Sequence, residues 1–435
     1  MRERQRSHRR FSVEFTRVRW LARAAPGGGY HDRSFVLTQG IVLASILVLF
    51  GRLSAVPLQQ QPTFRAAIEL VTVDVTVLDK RGQPVLDLSA ADFAVAAGGK
   101  MREVVSIEFI TSGQRPAPGA ALPDLQKTPN SASVRRSAGL AAPRAFFFVV
   151  DVSEIRAGEG RLMLSEMAEY LAELPPVDDV GLLVLPVGER VELTSDRATV
   201  QSVLRRVAGF STQLRECAPT LGEAAGIDAG DSRAGQAYAE RTRVLGCPPG
   251  TGFSRLNLAM RRRGTEFLVG ELGRLAQSMT HVEGRKAIVL VAEGFFMDSQ
   301  IREAWREFVS TAAKSGVVVY CIHLNFPLTE AGVRGQSTLT RLLDDQYGFD
   351  GMAEAAANAG GSAFRAIASA VSTLKRLDTE LSGYYLLSFR RDRQDEPGRR
   401  IKIDVKVKPP NLDVRFRQSF TPGPWLKSAS VGRGR

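Results

Sequence analysis

Histidine and cysteine are scarce in this 435-residue chain, and several catalytic motifs have no match in it. There are four histidines and three cysteines, and two of the histidines, His8 and His31, lie close to the N-terminus. The chain contains no Gly-x-Ser-x-Gly nucleophile elbow. It also lacks a Gly-x-Gly-x-x-Gly loop after a strand and a Walker lysine. The cysteines do not have the spacing of metal ligands. These absences argue against a serine hydrolase, a nucleotide-binding domain and a cysteine-based zinc site.

A basic stripe interleaved with aromatic residues is also missing, although the formal net charge is +12. Residues 1–55 hold ten arginines against three acidic residues, so they account for +7 of that charge. Lys427, Arg433 and Arg435 at the other end contribute a further +3. The middle of the chain is therefore close to neutral, and we expect no nucleic-acid partner.

No apolar run reaches the roughly 20 residues that a membrane-spanning helix needs. Residues 36–50 form the one strongly apolar tract, between an arginine-rich leader and a segment of small residues. This order is typical of a secretory signal, with cleavage near Ala55. The alternative is an uncleaved N-terminal anchor. Both predict an exported protein, periplasmic or extracellular, which contacts the membrane only through residues 36–50 if the signal is retained.

The strongest structural signal is the unbroken apolar run of residues 145–150, which ends at Asp151 and Ser153. Such a run predicts a strand that is covered on both faces, and residues 160–174 after it have helical spacing. Asp151 and Ser153 would then lie at the carboxyl edge of a central strand, where open α/β sheets bind ligands. Two oxygen side chains there can hold Mg²⁺, or they can cap the following helix.

Strands and helices alternate through the rest of this region. Further buried strands are predicted at 179–186, 286–292 and 317–324, a hairpin partner at 190–194 and an edge strand at 362–365. Helices are predicted at 198–207, 265–279, 300–315, 352–359 and 368–381, with Ser299 as an N-cap and with Leu162 and Phe267 facing inward. This alternation predicts an α/β fold with a doubly wound, mostly parallel sheet.

The domain organisation follows from these patterns. The α/β domain spans residues 144–382, and within it a polar, Gly-rich insertion at 209–252 resists assignment. Residues 66–111 and 383–421 read as strands, and neither group can bury a core alone. We therefore predict one antiparallel β-domain into which the α/β domain is inserted, with residues 71–78 and 401–407 in one sheet. Residues 112–143 form a linker, and residues 422–435 form a basic tail.

Four stretches, in this order along the chain, resemble a known family: residues 146–153, 284–294, 352–364 and 381–389. The chain is similar here to von Willebrand factor A (VWA) domains, in the bacterial exported branch described as VWFA-related. Residues 72–82 and 88–93 also resemble that branch, so the likeness covers about residues 66–420. The resemblance implies a Rossmann-like α/β fold and binding of a protein or a surface, without catalysis.

The resemblance also implies Mg²⁺ at a metal-ion-dependent adhesion site, whose first loop is Asp-x-Ser-x-Ser. Asp151 and Ser153 match the first two positions, but Ile155 stands where the second serine belongs and offers no oxygen. Glu293 stands in place of the aspartate of the third loop, with Asp298 as a substitute nearby. Candidates for the threonine of the second loop are Thr212 and Thr251. The predicted metal ligands are thus Asp151, Ser153, Glu293 and Asp298, in a degenerate site.

Phe295 and Phe296, followed by Met297, come directly after the Glu293-Gly294 turn. If exposed, they would contact a protein partner at the carboxyl edge, together with Glu154; otherwise they are buried under the 209–252 insertion. The functional alternative is a metal-dependent hydrolytic enzyme of the cell envelope, in which Glu293 and Asp298 do acid–base work.

Cys217 and Cys247 flank the polar part of the insertion, whereas Cys321 lies in an apolar run. After export, the first two can pair and close the insertion. The alternative is two unpaired thiols. Cys321 is predicted to be a core residue.

Overall fold

A computed structural model of the chain describes residues 69–112, 135–136, 143–155, 159–209, 217–247, 253–325 and 338–425. The strands are β1 (Leu70–Leu78), β2 (Phe93–Ala97), β3 (Lys100–Arg102), β4 (Val104–Thr111), β5 (Arg135–Arg136), β6 (Arg144–Asp151), β7 (Asp179–Leu185), β8 (Arg190–Thr194), β9 (Arg285–Ala292), β10 (Val317–Asn325), β11 (Ala363–Ile367), β12 (Gly383–Arg390), β13 (Ile401–Val407), β14 (Asp413–Phe416) and β15 (Ser419–Phe420). The helices are α1 (Glu159–Leu171), α2 (Arg197–Leu204), α3 (Leu221–Asp228), α4 (Ser232–Val244), α5 (Phe253–Ser278), α6 (Ser299–Lys314), α7 (Thr338–Asn358) and α8 (Val371–Glu380).

The apolar run that ends at Asp151 forms the central strand of a six-stranded sheet with the order β11-β10-β9-β6-β7-β8. β6 pairs in parallel with β9 on one side and with β7 on the other. Only β8 is antiparallel to its neighbour, since it returns from β7 as a hairpin. All eight residues of β6 are buried, because helices cover both faces of the sheet. The predicted fold class, a doubly wound and mostly parallel α/β sheet, is confirmed.

Successive residues of β6 supply two separate cores, as the two-residue period of a strand requires. Phe146, Phe148 and Val150 pack with residues of α1, α2 and α8. Phe147 and Val149 pack with residues of α5, α6 and α7. The unbroken apolar run is therefore explained by a strand that buries both of its faces.

The remaining strands form a β-sandwich, with the orders β14-β1-β12-β4-β5 and β15-β13-β2-β3. The two sheets share one core, which includes Val75 of β1, Val95 of β2, Tyr385 of β12 and Ile403 of β13. Strands from both ends of the chain thus make one β-domain. The expectation that residues 71–78 and 401–407 share a sheet is wrong, because β1 pairs with β12 and β14 while β13 pairs with β2 and β15.

The α/β region leaves this sandwich after β4 and returns to it at β12. At the point of return, the backbone N–H of Ser112 donates to the Ser382 carbonyl at 2.8 Å. Arg285, the first residue of β9, reaches β1 through Asp74 at 3.1 Å and Thr76 at 3.3 Å. The amino edge of the parallel sheet therefore lies against the β-sandwich, and its carboxyl edge faces away.

Some elements differ from those predicted. The insertion contains two helices, α3 and α4, and the helices α5 and α7 begin well before the predicted residues 265 and 352. The early turns of α5 and α7 are rich in arginine, aspartate and glycine, so their apolar periodicity is weak. Leu162 and Phe267 are exposed rather than inward, because Leu164 and Leu268 take the buried positions.

The leader with residues 36–50, most of the linker and residues 426–435 lie outside the described residues. Within the linker, Arg135–Arg136 pairs in parallel with β4. Among the helices of the described ranges, none is both long and apolar enough to cross a bilayer.

Candidate functional site

The loops that follow β6 and β9 meet at the carboxyl edge of the sheet. After Asp151, residues Val152–Glu154 form a single 3-10 turn. After Ala292, the chain turns through Glu293 and Gly294. The backbone N–H of Glu293 donates to the Glu154 carbonyl at 2.8 Å. Because β6 and β9 are neighbours in the sheet, this bond joins the two loops into one unit.

Asp151 caps the turn that it precedes. Its Oδ1 accepts the backbone N–H of Ser153 at 3.1 Å and also the Ser153 hydroxyl. The aspartate is buried and the serine is partly exposed. The structure shows Asp151 capping a short 3-10 turn that contains Ser153, which differs from the predicted alternative in which both residues cap the following helix.

Ile155 occupies the position where the resemblance places a second serine. Its side chain is fully buried in the core between the sheet and helices α1, α2 and α8. The backbone here therefore directs this position toward the interior rather than toward the edge. Isoleucine has no side-chain oxygen, so this position cannot supply the missing metal ligand.

The acidic residues of the edge are bound by two consecutive arginines of α5. Arg261 Nη1 donates to Glu154 Oε1 at 2.8 Å. Arg262 donates through Nε to Asp298 Oδ2 and through Nη2 to Asp228. The hydrogen bond to Asp298 is the main reason why the pKa of Arg262 is raised above its ordinary value.

Asp298 has a second role as the N-cap of α6. Its Oδ1 accepts the backbone N–H of Ile301 at 2.8 Å, and the carboxylate is buried. The predicted cap was Ser299, which is instead the first residue of the helix. The prediction was wrong because Asp298 adopts the extended conformation that an N-cap needs, and serine and aspartate are equally good caps by type.

The predicted Mg²⁺ ligands do not fit a metal centre. Mg²⁺ requires several oxygen ligands in near-octahedral geometry. Asp151 Oδ1 is used within its own turn, and both oxygens of Asp298 are used by Ile301 and Arg262. In the described ranges, no three His, Cys, Asp or Glu side chains are grouped in a way that could hold a metal ion. The alternative threonines, Thr212 and Thr251, lie outside the described residues.

Phe295, Phe296 and Met297 are buried, with 2%, 2% and 3% of their surface exposed. The ring of Phe295 meets that of Trp305 in α6 at 5.3 Å between centroids. Of the two alternatives left open by the sequence, the structure shows burial rather than an exposed contact surface, and residues of α6 and α7 pack against these side chains. Gly351 of α7 lies so close that a Cβ there would come within 2.2 Å of the Phe295 carbonyl oxygen.

The helical insertion covers part of the same edge. Cys217 and Cys247 are joined by a disulfide that encloses α3 and α4. Inside the loop, Arg241 forms a buried ion pair with Glu223 at 2.7 Å, and the Tyr238 hydroxyl donates to the Cys217 carbonyl at 3.0 Å. Leu221 at the start of this closed helical unit approaches Gly294.

A half-buried aspartate of α7 holds the start of this unit. Asp344 Oδ1 accepts the Thr220 hydroxyl at 2.7 Å and the backbone N–H of Gly222 at 2.9 Å. Burial raises the pKa of Asp344, and the two hydrogen bonds oppose that rise. Arg261 adds a bond from Nη2 to the Pro219 carbonyl at 3.1 Å.

Sequence reasoning missed Thr220, Asp344, Arg261 and Arg262. The Thr220-x-x-Glu223 spacing is a capping-box pattern, and the structure forms both of its reciprocal bonds. This pattern could have located α3. The run of three arginines at 261–263 was a weaker signal, because such runs are usually solvated, and nothing distinguished Asp344 from other acidic residues.

Three exposed apolar side chains also lie at the carboxyl edge. Leu162 is in the first turn of α1, Val187 follows β7 in the hairpin to β8, and Ile367 is the last residue of β11. Each therefore lies where a parallel strand ends or where the chain leaves it. Val187 is 90% exposed, which places apolar surface in water beside the polar network of the loops.

No protein-family model and no curated protein matches the chain. The solved structures similar to it include an aerotolerance-related membrane protein from Bacteroides fragilis, with 11% identity and a TM-score of 0.31, covering 54% of this chain and 98% of that one. Human COPII-coat protein Sec24c is another, with 14% identity and a TM-score of 0.24. The match covers 65% of this chain and 44% of the Sec24c chain. At these values neither likeness carries an argument, and the architecture rests on the strand order and pairing described above.

Proposed function

We propose that this chain is an exported VWA-like protein that binds a protein partner at the carboxyl edge of its parallel sheet. One observation carries the proposal: exposed Leu162, Val187 and Ile367 lie at an edge where a backbone hydrogen bond joins the loops after β6 and β9. Apolar side chains in water at a pre-organised edge are suited to association, because binding removes them from water without ordering the loops.

Two features support export. The basic leader, the apolar tract at residues 36–50 and the small residues after it have the order of a secretory signal. The disulfide between Cys217 and Cys247 is of a kind that persists in oxidising compartments. A periplasmic or extracellular location is consistent with both.

A catalytic role finds less support at this edge. Glu293 and Asp298 were the acid–base candidates, but Asp298 is committed to a helix cap and to Arg262. A general acid or base must be free to exchange a proton with substrate. Binding requires only a suitable shape and exposed surface, and this edge has both.

The test uses the full chain with a C-terminal affinity tag, recovered from the envelope of a producing bacterium after cross-linking. We expect Val187→Glu and Leu162→Glu to lose the cross-linked partner, since a charge at an apolar contact opposes desolvation. The matched control is Met101→Glu in the β-sandwich, where the side chain is 69% exposed. A partner lost with Met101→Glu but kept with Val187→Glu would place the interface on the sandwich and contradict the proposal.

A further inference from the structure

Two neighbouring guanidinium groups connect four of the segments that meet at the carboxyl edge. Arg261 links the loop after β6, at Glu154, to the beginning of the insertion at the Pro219 carbonyl. Arg262 links the start of α6, at Asp298, to the end of α3 at Asp228. One turn of α5 thereby holds two sheet loops and both ends of helix α3.

Two arginines pair with three carboxylates at this edge. The loops contribute Glu154 and Asp298, the insertion contributes Asp228, and α5 supplies the two arginines. Arginine remains protonated at all physiological pH values, and its planar fork donates several hydrogen bonds at fixed angles. Asp298 and Arg262 are largely sheltered from solvent on the loop side, since the Asp298 side chain is only 5% exposed.

We infer that Arg261 and Arg262 close this edge as a guanidinium lock, which occupies the Glu154 and Asp298 carboxylates that a divalent cation could otherwise bind. A cation at such an edge would join the loops after β6 and β9 by binding both. Here the direct Glu293-to-Glu154 backbone bond and the two arginines make that connection. The lock holds the insertion in place and makes the edge independent of divalent cations. The inference concerns the edge alone and stands whether or not the proposed protein partner exists.

A divalent cation would compete poorly for these carboxylates. To bind Asp298 it would have to displace Arg262 Nε and to leave Ile301 N–H without its acceptor. The displaced guanidinium would then lie beside the cation, and the two like charges repel. Mg²⁺ also gives up its water ligands reluctantly.

The first experiment tests for a bound cation. Thermal unfolding of the full chain is compared in EDTA and in millimolar Mg²⁺, Mn²⁺ or Ca²⁺. We expect the midpoints to agree within about 2 °C. A larger rise with any of these cations that Asp151→Ala abolishes would overturn the inference, because it would show a metal bound at the predicted first loop.

The second experiment tests the arginines themselves by limited proteolysis of the segment between Cys217 and Cys247 under native conditions. Arg262→Gln should raise the cleavage rate about tenfold, which corresponds to the loss of about 1.4 kcal/mol of local stability. Arg262→Lys should restore part of the protection, since it keeps the charge but loses the fork. The matched control is Arg263→Gln, an exposed arginine in the same turn of α5. Equal cleavage of Arg262→Gln and Arg263→Gln would overturn the lock.

Discussion

Arg144, the first residue of the central strand, is buried and forms an ion pair with the fully buried Asp178. Its Nη2 lies 2.6 Å from Asp178 Oδ2 and its Nη1 lies 2.6 Å from Asp378 Oδ1. Asp178→Asn should cost about 3 kcal/mol in the free energy of unfolding, because it leaves a buried guanidinium incompletely neutralised. Urea unfolding at neutral pH measures this.

The control for this prediction is an exposed pair on the same sheet. Glu192→Gln breaks the ion pair with Arg190 in β8, where both side chains are open to solvent. We expect a change within about 0.5 kcal/mol, as for other exposed pairs. Similar losses for both variants would show that the buried charge at Arg144 is solvated and would contradict the prediction.

Asp344 gives a pH-dependent prediction, since burial raises its pKa above the ordinary 3.8. A carboxyl group whose pKa is raised by folding contributes stability that is fully present below pH 3.8 and is lost as the pH rises through the folded-state pKa. Asp344→Asn removes the charge and keeps an Oδ1 acceptor for Thr220 and Gly222. This variant should therefore gain stability over the native protein between about pH 4 and pH 7.

Chemical unfolding at several pH values checks the sign of this difference. Asp344→Ala serves as the contrast, because it leaves both donors without their acceptor and should lose about 1–3 kcal/mol at every pH. If Asp344→Asn is less stable than the native protein at neutral pH, the negative charge of Asp344 stabilises the fold by more than its burial destabilises it. That result would contradict the prediction.

At the scale of single residues, the burial of the β6 side chains could be predicted from the sequence. The contacts of the residues around β6 could not. An apolar run followed by an acid specifies a buried strand, because few other structures bury every side chain. The roles of Glu154 and Asp298 depended on Arg261 and Arg262, which lie 107 and 36 positions away from them along the chain. No local pattern predicts which arginine meets which carboxylate.

Helix α7 packs closely against the loop after β9 because Gly351 has no side chain. A Cβ at this position would meet the Phe295 carbonyl oxygen at 2.2 Å, whereas one at Gly264 in α5 would meet nothing within 4 Å. Gly351→Ala should therefore destabilise the protein by about 1–3 kcal/mol, because backbone must move to admit the methyl group. Gly264→Ala should be neutral or stabilising by up to about 1 kcal/mol.

Thermal unfolding of the two variants separates the effects of close packing and of helix propensity. Both are glycine-to-alanine changes within helices, so propensity alone would stabilise both. A gain in stability for Gly351→Ala would mean that α7 can withdraw from the loop after β9. The burial of Phe295 and Phe296 would then be looser than the contacts indicate.

Elements with strong periodicity were predicted well, and those stabilised by tertiary contacts were not. The strands β6, β7, β9 and β10 all have unbroken apolar runs, and each was expected within a few residues of its bounds. Helices α3 and α4 lack a strong apolar periodicity. They are held in place by a disulfide, a capping box and the Glu223–Arg241 ion pair. Their sequence therefore read as an irregular insertion.

For the whole molecule, we expect the α/β region and the β-sandwich to unfold together. Arg285 joins β9 to Asp74, Arg415 of β14 joins Glu380 at the end of α8, and Arg417 donates to the Ala313 carbonyl in α6. These contacts cross between the parallel sheet and the sandwich at buried or half-buried positions. Calorimetry should show one transition, with equal calorimetric and van't Hoff enthalpies. Two resolved transitions would contradict this coupling.

The interleaved β-sandwich has a consequence for how the protein is made. Leu70 in β1 pairs with Arg390 in β12, and β14 completes the other side of β1 only at residues 413–416. During synthesis the first strand emerges long before either partner, so the nascent chain carries an unpaired apolar strand until residues 385–390 and 413–416 are available. A chain that stops before residue 383 would keep that strand open, and strands of a second copy could add to it.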